Sequence, residues 1–89
     1  MSLSSETEAK LKKASELLLN LAGDPSVPRN IRRLASQARE TLLKKGEEPS
    51  VRAAFAASML EEASNDPNIP MHARTSIWNL LSLLETIRE

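Results

Sequence analysis

The chain has no cysteine and no tyrosine, one phenylalanine, one tryptophan, one histidine and two glycines in 89 residues. Without cysteine there is no disulfide framework and no thiolate metal site, a usage that suits a reducing cytosol. One histidine cannot build a histidine metal cage. Strand-forming aromatics are scarce, whereas Leu, Ala, Glu, Lys and Arg are abundant, so composition alone points to an all-α fold. No apolar run approaches the roughly 20 residues that cross a bilayer. The opening "MSLSSETEAK" lacks a basic segment followed by an apolar one, and it does not read as a secretion signal. The expectation is a cytoplasmic protein with no membrane role.

Twelve basic and twelve acidic side chains cancel, so no global field selects nucleic acid or an anionic surface. A chain of this length buries one core, and we expect one helical domain over residues 1–89 with repeat halves of about 5–46 and 47–89.

Hydrophobic periodicity predicts four helices. The first spans Ser5 to Ala22, with Ser5 and Glu8 as a capping box and a stripe of Leu11, Ala14, Leu17, Leu18, Leu21 and Ala22. The second runs from Pro28 to Lys45 on Ile31, Leu34, Ala35, Ala38 and Leu42, and Gly46 ends it. The third, from Pro49 or Ser50 to Ser64, is apolar around most of its circumference and is expected to be the most buried, with Phe55, Met59 and Leu60 supplying volume. The fourth, Pro70 to Arg88, carries Ala73, Ile77, Leu80, Leu81, Leu84 and Ile87. Connectors of a few residues force neighbours antiparallel. The architecture expected is an up-down-up-down bundle of four.

The connectors repeat. Shifting residues 9–42 by 42 positions superposes Asp24 on Asp66, Pro25 on Pro67, Val27 on Ile69, Pro28 on Pro70 and Arg32 on Arg74, which points to an internal duplication. Asp followed by Pro favours a type I turn, and a second Pro suits the first helical turn. Val27 and Ile69 can pack inward as staples. The Asp carboxylate can cap the helix start, and the Arg eight residues on can fold back to it.

"DPSVPRNIRRLA", "EPSVRAAFAASML" and "DPNIPMHARTSIWNLL" resemble HEAT-type helical repeats, whose turns pair Asp-Pro-x-Val with a following Arg. HEAT proteins stack many units, and this chain has two helix pairs, so the resemblance implies two HEAT-like hairpins closed into a bundle. With "NDPNIPMHARTSIWNLLSLLE" as its most recognisable part, the whole chain also resembles a small archaeal family of uncharacterised proteins. That likeness implies an all-helical fold and no assigned activity.

Chemistry-bearing constellations are sparse. His72 opens helix 4 and reads as a surface or capping residue. Glu61 and Glu62 are adjacent and diverge. There is no Glu-x-x-His pair, no Gly-rich phosphate loop and no nucleophile elbow. No catalytic, cofactor or metal residue is assigned, and neither an enzyme nor a small-molecule substrate is expected. Residues 28–46 carry a net charge of +5 and residues 47–66 a net charge of −4. Arg29, Arg32, Arg33 and Arg39 therefore form either a phosphate-binding face for nucleic acid or a solvated face answered by its acidic neighbour. No aromatics interleave with them for base stacking. Trp78 lies away from the helix 4 stripe, among Met71, Arg74, Leu81 and Ser82. It is either the centre of a protein-contact face, a homodimer being the simplest case, or a ring covered by helix 3 or by the segment around Leu3.

Overall fold

The computed structural model describes residues 3–88. It contains α1 (Ser5–Ala22), α2 (Arg29–Leu43), α3 (Pro49–Ser64) and α4 (Met71–Glu85), with no strand among the described residues. α1 packs on α2 and α4, and α3 packs on the same two. The four helices therefore close a ring around one core, an antiparallel all-α bundle measuring 42 × 19 × 19 Å.

Each helix gives this ring one stripe. The stripes are Leu11, Ala14, Leu18 and Leu21 on α1, Ile31, Ala35, Ala38 and Leu42 on α2, Ala53, Ala56, Leu60 and Ala63 on α3, and Ala73, Ile77, Leu80 and Leu84 on α4. Every buried position in the first two stripes has a buried counterpart 42 residues later. Side-chain size does not repeat with burial. α1 is leucine-rich where α3 is alanine-rich. On α2 and α4, equivalent depths below the shared loop end carry Ile31 and Ala73, Ala35 and Ile77, and Ala38 and Leu80. At these three depths a large residue in one half is matched by a small one in the other, whereas Leu42 and Leu84 are both large.

The ring corrects the expectation for α3. With four helices each touching two neighbours, none is central. α3 buries Pro49 and its alanine-and-leucine stripe, and Phe55 points outward with 58% of its surface exposed. Met59 is half-buried, near enough for the Thr41 hydroxyl to donate to its sulfur at 4.0 Å. Of the three residues expected to supply volume only Leu60 is fully buried, and it is joined by Leu18, Ile31, Leu42, Ile77 and Leu80. An apolar circumference of small residues marks only weakly which side faces in.

Helix ends also differ from the reading of the sequence. The N-cap of α1 is Ser4, whose Oγ accepts from the Thr7 backbone N–H at 3.1 Å. The box of Ser5 and Glu8 is displaced by one residue. α2 stops at Leu43 because Lys44 is extended (ψ 124°), and Gly46 turns the chain three residues on with φ 101°. α4 stops at Glu85, where the Thr86 hydroxyl donates to the Leu83 carbonyl at 2.6 Å. Ile87, beyond the helix, is still buried.

Candidate interaction surface

The two Asp-Pro turns lie side by side at one end of the bundle. In each, the residue three after the Asp donates its N–H to the Asp carbonyl, Val27 to Asp24 at 3.1 Å and Ile69 to Asp66 at 3.4 Å, closing the expected β-turns. Val27 and Ile69 are buried, as staples require. The carboxylates act locally: Asp24 Oδ1 accepts from the Ser26 N–H at 2.9 Å, and Asp66 Oδ1 accepts from the Asn68 N–H at 2.8 Å.

The arginines do not fold back onto these carboxylates. Arg32 donates to the Val27 carbonyl at 3.0 Å, and Arg74 donates to the carbonyls of Ser64 and Asp66. Arg52, at the same fourth position of α3, donates to the Leu42 carbonyl at 3.1 Å. At three helix starts an arginine thus satisfies carbonyls left over by the preceding helix or turn, which otherwise lack intrahelical donors.

The second oxygen of each carboxylate reaches across to the other turn. Asp24 Oδ2 lies 2.9 Å from His72 Nε2 at the start of α4, and Asp66 Oδ2 accepts from Asn30 Nδ2 at 2.9 Å at the start of α2. Asn30 and His72 are 42 residues apart, as are the two aspartates. The exchange is therefore reciprocal, as it is across a two-fold axis. Hydrogen bonds from Ser26, then from His72, hold the Asp24 carboxyl at about 2, below its ordinary 3.8. Asn30 and the Asn68 N–H lower Asp66 likewise, with the Arg74 charge a smaller cause.

Ser26, His72 and Asp24 bring together the residue types of a nucleophilic triad. Ser26 Oγ donates to Asp24 Oδ1 at 2.7 Å and stands 3.2 Å from His72 Nε2, the same nitrogen that meets Asp24. A relay needs the carboxylate on one ring nitrogen and the hydroxyl on the other. Here one nitrogen serves both, so the cluster joins two turns. Among the described residues, no group of three or more His, Asp or Glu side chains is placed to hold a metal ion, and no helix is long and apolar enough to cross a membrane.

The basic face is partly spent on the fold. Arg32 is tied to Val27, and Arg39 donates to Ser15 Oγ on α1 at 3.2 Å. Both are half-buried, and only Arg29 and Arg33 of the four are exposed.

Trp78 is exposed by 53% and Met71 by 71%. Ser82 is exposed, while Arg74 and Leu81 are half-buried. Neither α3 nor Leu3 covers the ring. Leu3 sits near Leu43, Pro49 and Arg52, around a groove at the opposite end from the Asp-Pro turns. A tryptophan this exposed at the middle of a regular helix contributes little to the core it belongs to.

Over residues 1–87 the sequence matches the family described as uncharacterised protein family UPF0147. The chain belongs to this family. UPF0147 relatives include a protein of Saccharolobus islandicus, 52% identical over the whole length of both chains. Another, from Methanothermobacter thermautotrophicus, is 49% identical over all of this chain and 84% of its own. The crystal structure of a UPF0147 protein from Thermoplasma acidophilum superposes with a TM-score of 0.86 at 34% identity, covering 91% of this chain and 95% of that one. A crystal structure described as that of a protein of unknown function superposes at 0.90 with 43% identity, covering 100% and 99%. UPF0147 membership thus carries the four-helix fold and an archaeal kinship, and the family has no assigned function.

Two features of this UPF0147 chain escaped the sequence reading. The Asp24–His72 and Asp66–Asn30 exchange had one visible signal, the 42-residue shift that lays Asn30 on His72. The arginine brackets had another, an Arg four residues after each of Pro28, Glu48 and Pro70.

Proposed function

We propose that the chain is a single helical domain of two related halves, about 5–46 and 47–89, acting without catalysis as a cytoplasmic protein-interaction module. Its contact surface is the outer face of α4, and self-association is the simplest form of the contact. The observation that carries this reading is Trp78, half-exposed beside Met71 and Ser82. Exposed Trp is costly to leave in water and is enriched at contact hot spots. The single-nitrogen geometry at His72 supports the non-enzymatic part.

Because Trp78 is the sole tryptophan, its emission reports directly on this surface. Emission that shifts to the blue as protein concentration rises, together with a growing sedimentation coefficient, is the expected result. Red emission throughout and a strict monomer at millimolar concentration would refute self-association.

A nucleic-acid role for the α2 face ranks second, since Arg32 and Arg39 are committed within the chain and Arg29 and Arg33 are left to meet phosphates. It predicts oligonucleotide binding that weakens steeply with salt and is lost in Arg29→Glu with Arg33→Glu.

A further inference from the structure

We infer that the occupant of the α3–α4 face is a second copy of this chain, docked about a two-fold axis parallel to the bundle. The inference rests on the self-association proposed above and gives it a geometry. The face has two columns. Ala54, Ala57 and Glu61 recur at helical spacing on α3, and Ala54 and Ala57 line a groove of about 200 Å³ with Leu84 and Glu85 of α4. That side of α3 is therefore the one turned toward α4. On α4, Arg74 reaches the Ser64 carbonyl of α3, so Arg74 and Trp78, one turn apart, lie on the side of α4 turned toward α3.

Height along the face follows from the antiparallel hairpin. α3 ends at Ser64 and α4 begins at Met71. Trp78, seven residues on from Met71, is level with Ala57, seven back from Ser64. Arg74 is level with Glu61 by the same count of three. One column thus carries the large, exposed Trp78 and the other small alanines at the matching height.

A two-fold axis running between the columns exchanges them without changing height. It lays Trp78 over Ala54 and Ala57 of the second copy, and the contact occurs twice. The interface is isologous and self-complementary. A two-fold axis across the helices instead stacks Trp78 on Trp78 and alanine on alanine, leaving a gap beside a clash. α4 runs for about 22 Å beside α3 in a bundle 19 Å across, so a second bundle lying along it meets both columns.

The test is sedimentation of the full chain with Ala54→Arg and Trp78→Ala, using circular dichroism to confirm that both are folded. Ala54 is exposed, so the arginine blocks the hole without entering the core. The wild type forms a concentration-dependent dimer, and each variant weakens it by at least about tenfold. Mixed together, the two variants recover a heterodimer, because the tryptophan of one still meets the alanines of the other. A dimer lost in Trp78→Ala yet untouched by Ala54→Arg would overturn this geometry while leaving the α4 surface in place. Failure of the mixture to associate would do the same. A wild-type monomer at every concentration would remove both proposals.

Discussion

The size complementarity between halves makes a quantitative claim about the core. Ala35 on α2 and Ile77 on α4 are completely buried, lie at equivalent depth and face the core from opposite corners of the ring. Truncating Ile77→Ala removes three carbons from a site that can collapse only partly, at a cost of about 3 kcal/mol. Enlarging Ala35→Ile forces the same carbons into a filled layer, at about 2 kcal/mol. Independent sites would give a double variant destabilised by about 5 kcal/mol. If the two side chains share one layer, the double substitution conserves its volume and costs only about 1.5 kcal/mol. The coupling of about 3.5 kcal/mol is well above the error of a guanidinium denaturation curve. Against a total stability on the order of 5–15 kcal/mol, all four corners of the cycle are measurable. An additive result, with coupling under about 0.5 kcal/mol, would refute the layer pairing.

Other expectations follow from the turns and caps. Asp24 has its carboxyl lowered to about 2 from 3.8, so its contribution is full above pH 3.8 and disappears as pH falls toward 2; thermal melts of Asp24→Asn should lose part of the acid destabilisation seen in the wild type. Gly46 holds φ 101°, and Gly46→Ala should destabilise by about 1 kcal/mol, while Gly23→Ala, whose added carbon meets nothing closer than 3.5 Å, should have a far smaller effect in the same denaturation assay. Ser4→Ala should cost about 1 kcal/mol by loss of the cap, whereas Ser5→Ala should stay within about 0.5 kcal/mol.

How much of this was legible depended on whether the signal was local. Helix periodicity marked the core stripes of α1, α2 and α4, and the Asp-Pro-x-(Val/Ile)-Pro spelling was enough to read both turns and both staples. Ser4 and Ser5 are chemically alike, and only the direction of chain entry decides which one caps. Phe55 misled because α3 carries alanine on its core side and its outer side alike. Arg32 and Arg39 read as a phosphate-binding or solvated face and Arg74 as part of the Trp78 contact face; their carbonyl and hydroxyl partners lie on turns, on α1 and at the end of α3, out of reach of periodicity. Trp78 could be placed off the stripe by counting, but its exposure required knowing that α3 turns an alanine column toward it.

The reciprocal grip between the two turns also has a kinetic side. Each hairpin closes over a handful of residues, but Asp24 and His72 are 48 residues apart, and Asn30 and Asp66 are 36 apart. Ordering that much chain precedes any gain from these bonds, so they form only after both hairpins exist and have docked. Bonds of this span are expected to form in the last step of folding, so removing them is expected to speed the opening of the bundle and to leave its rate of formation nearly unchanged.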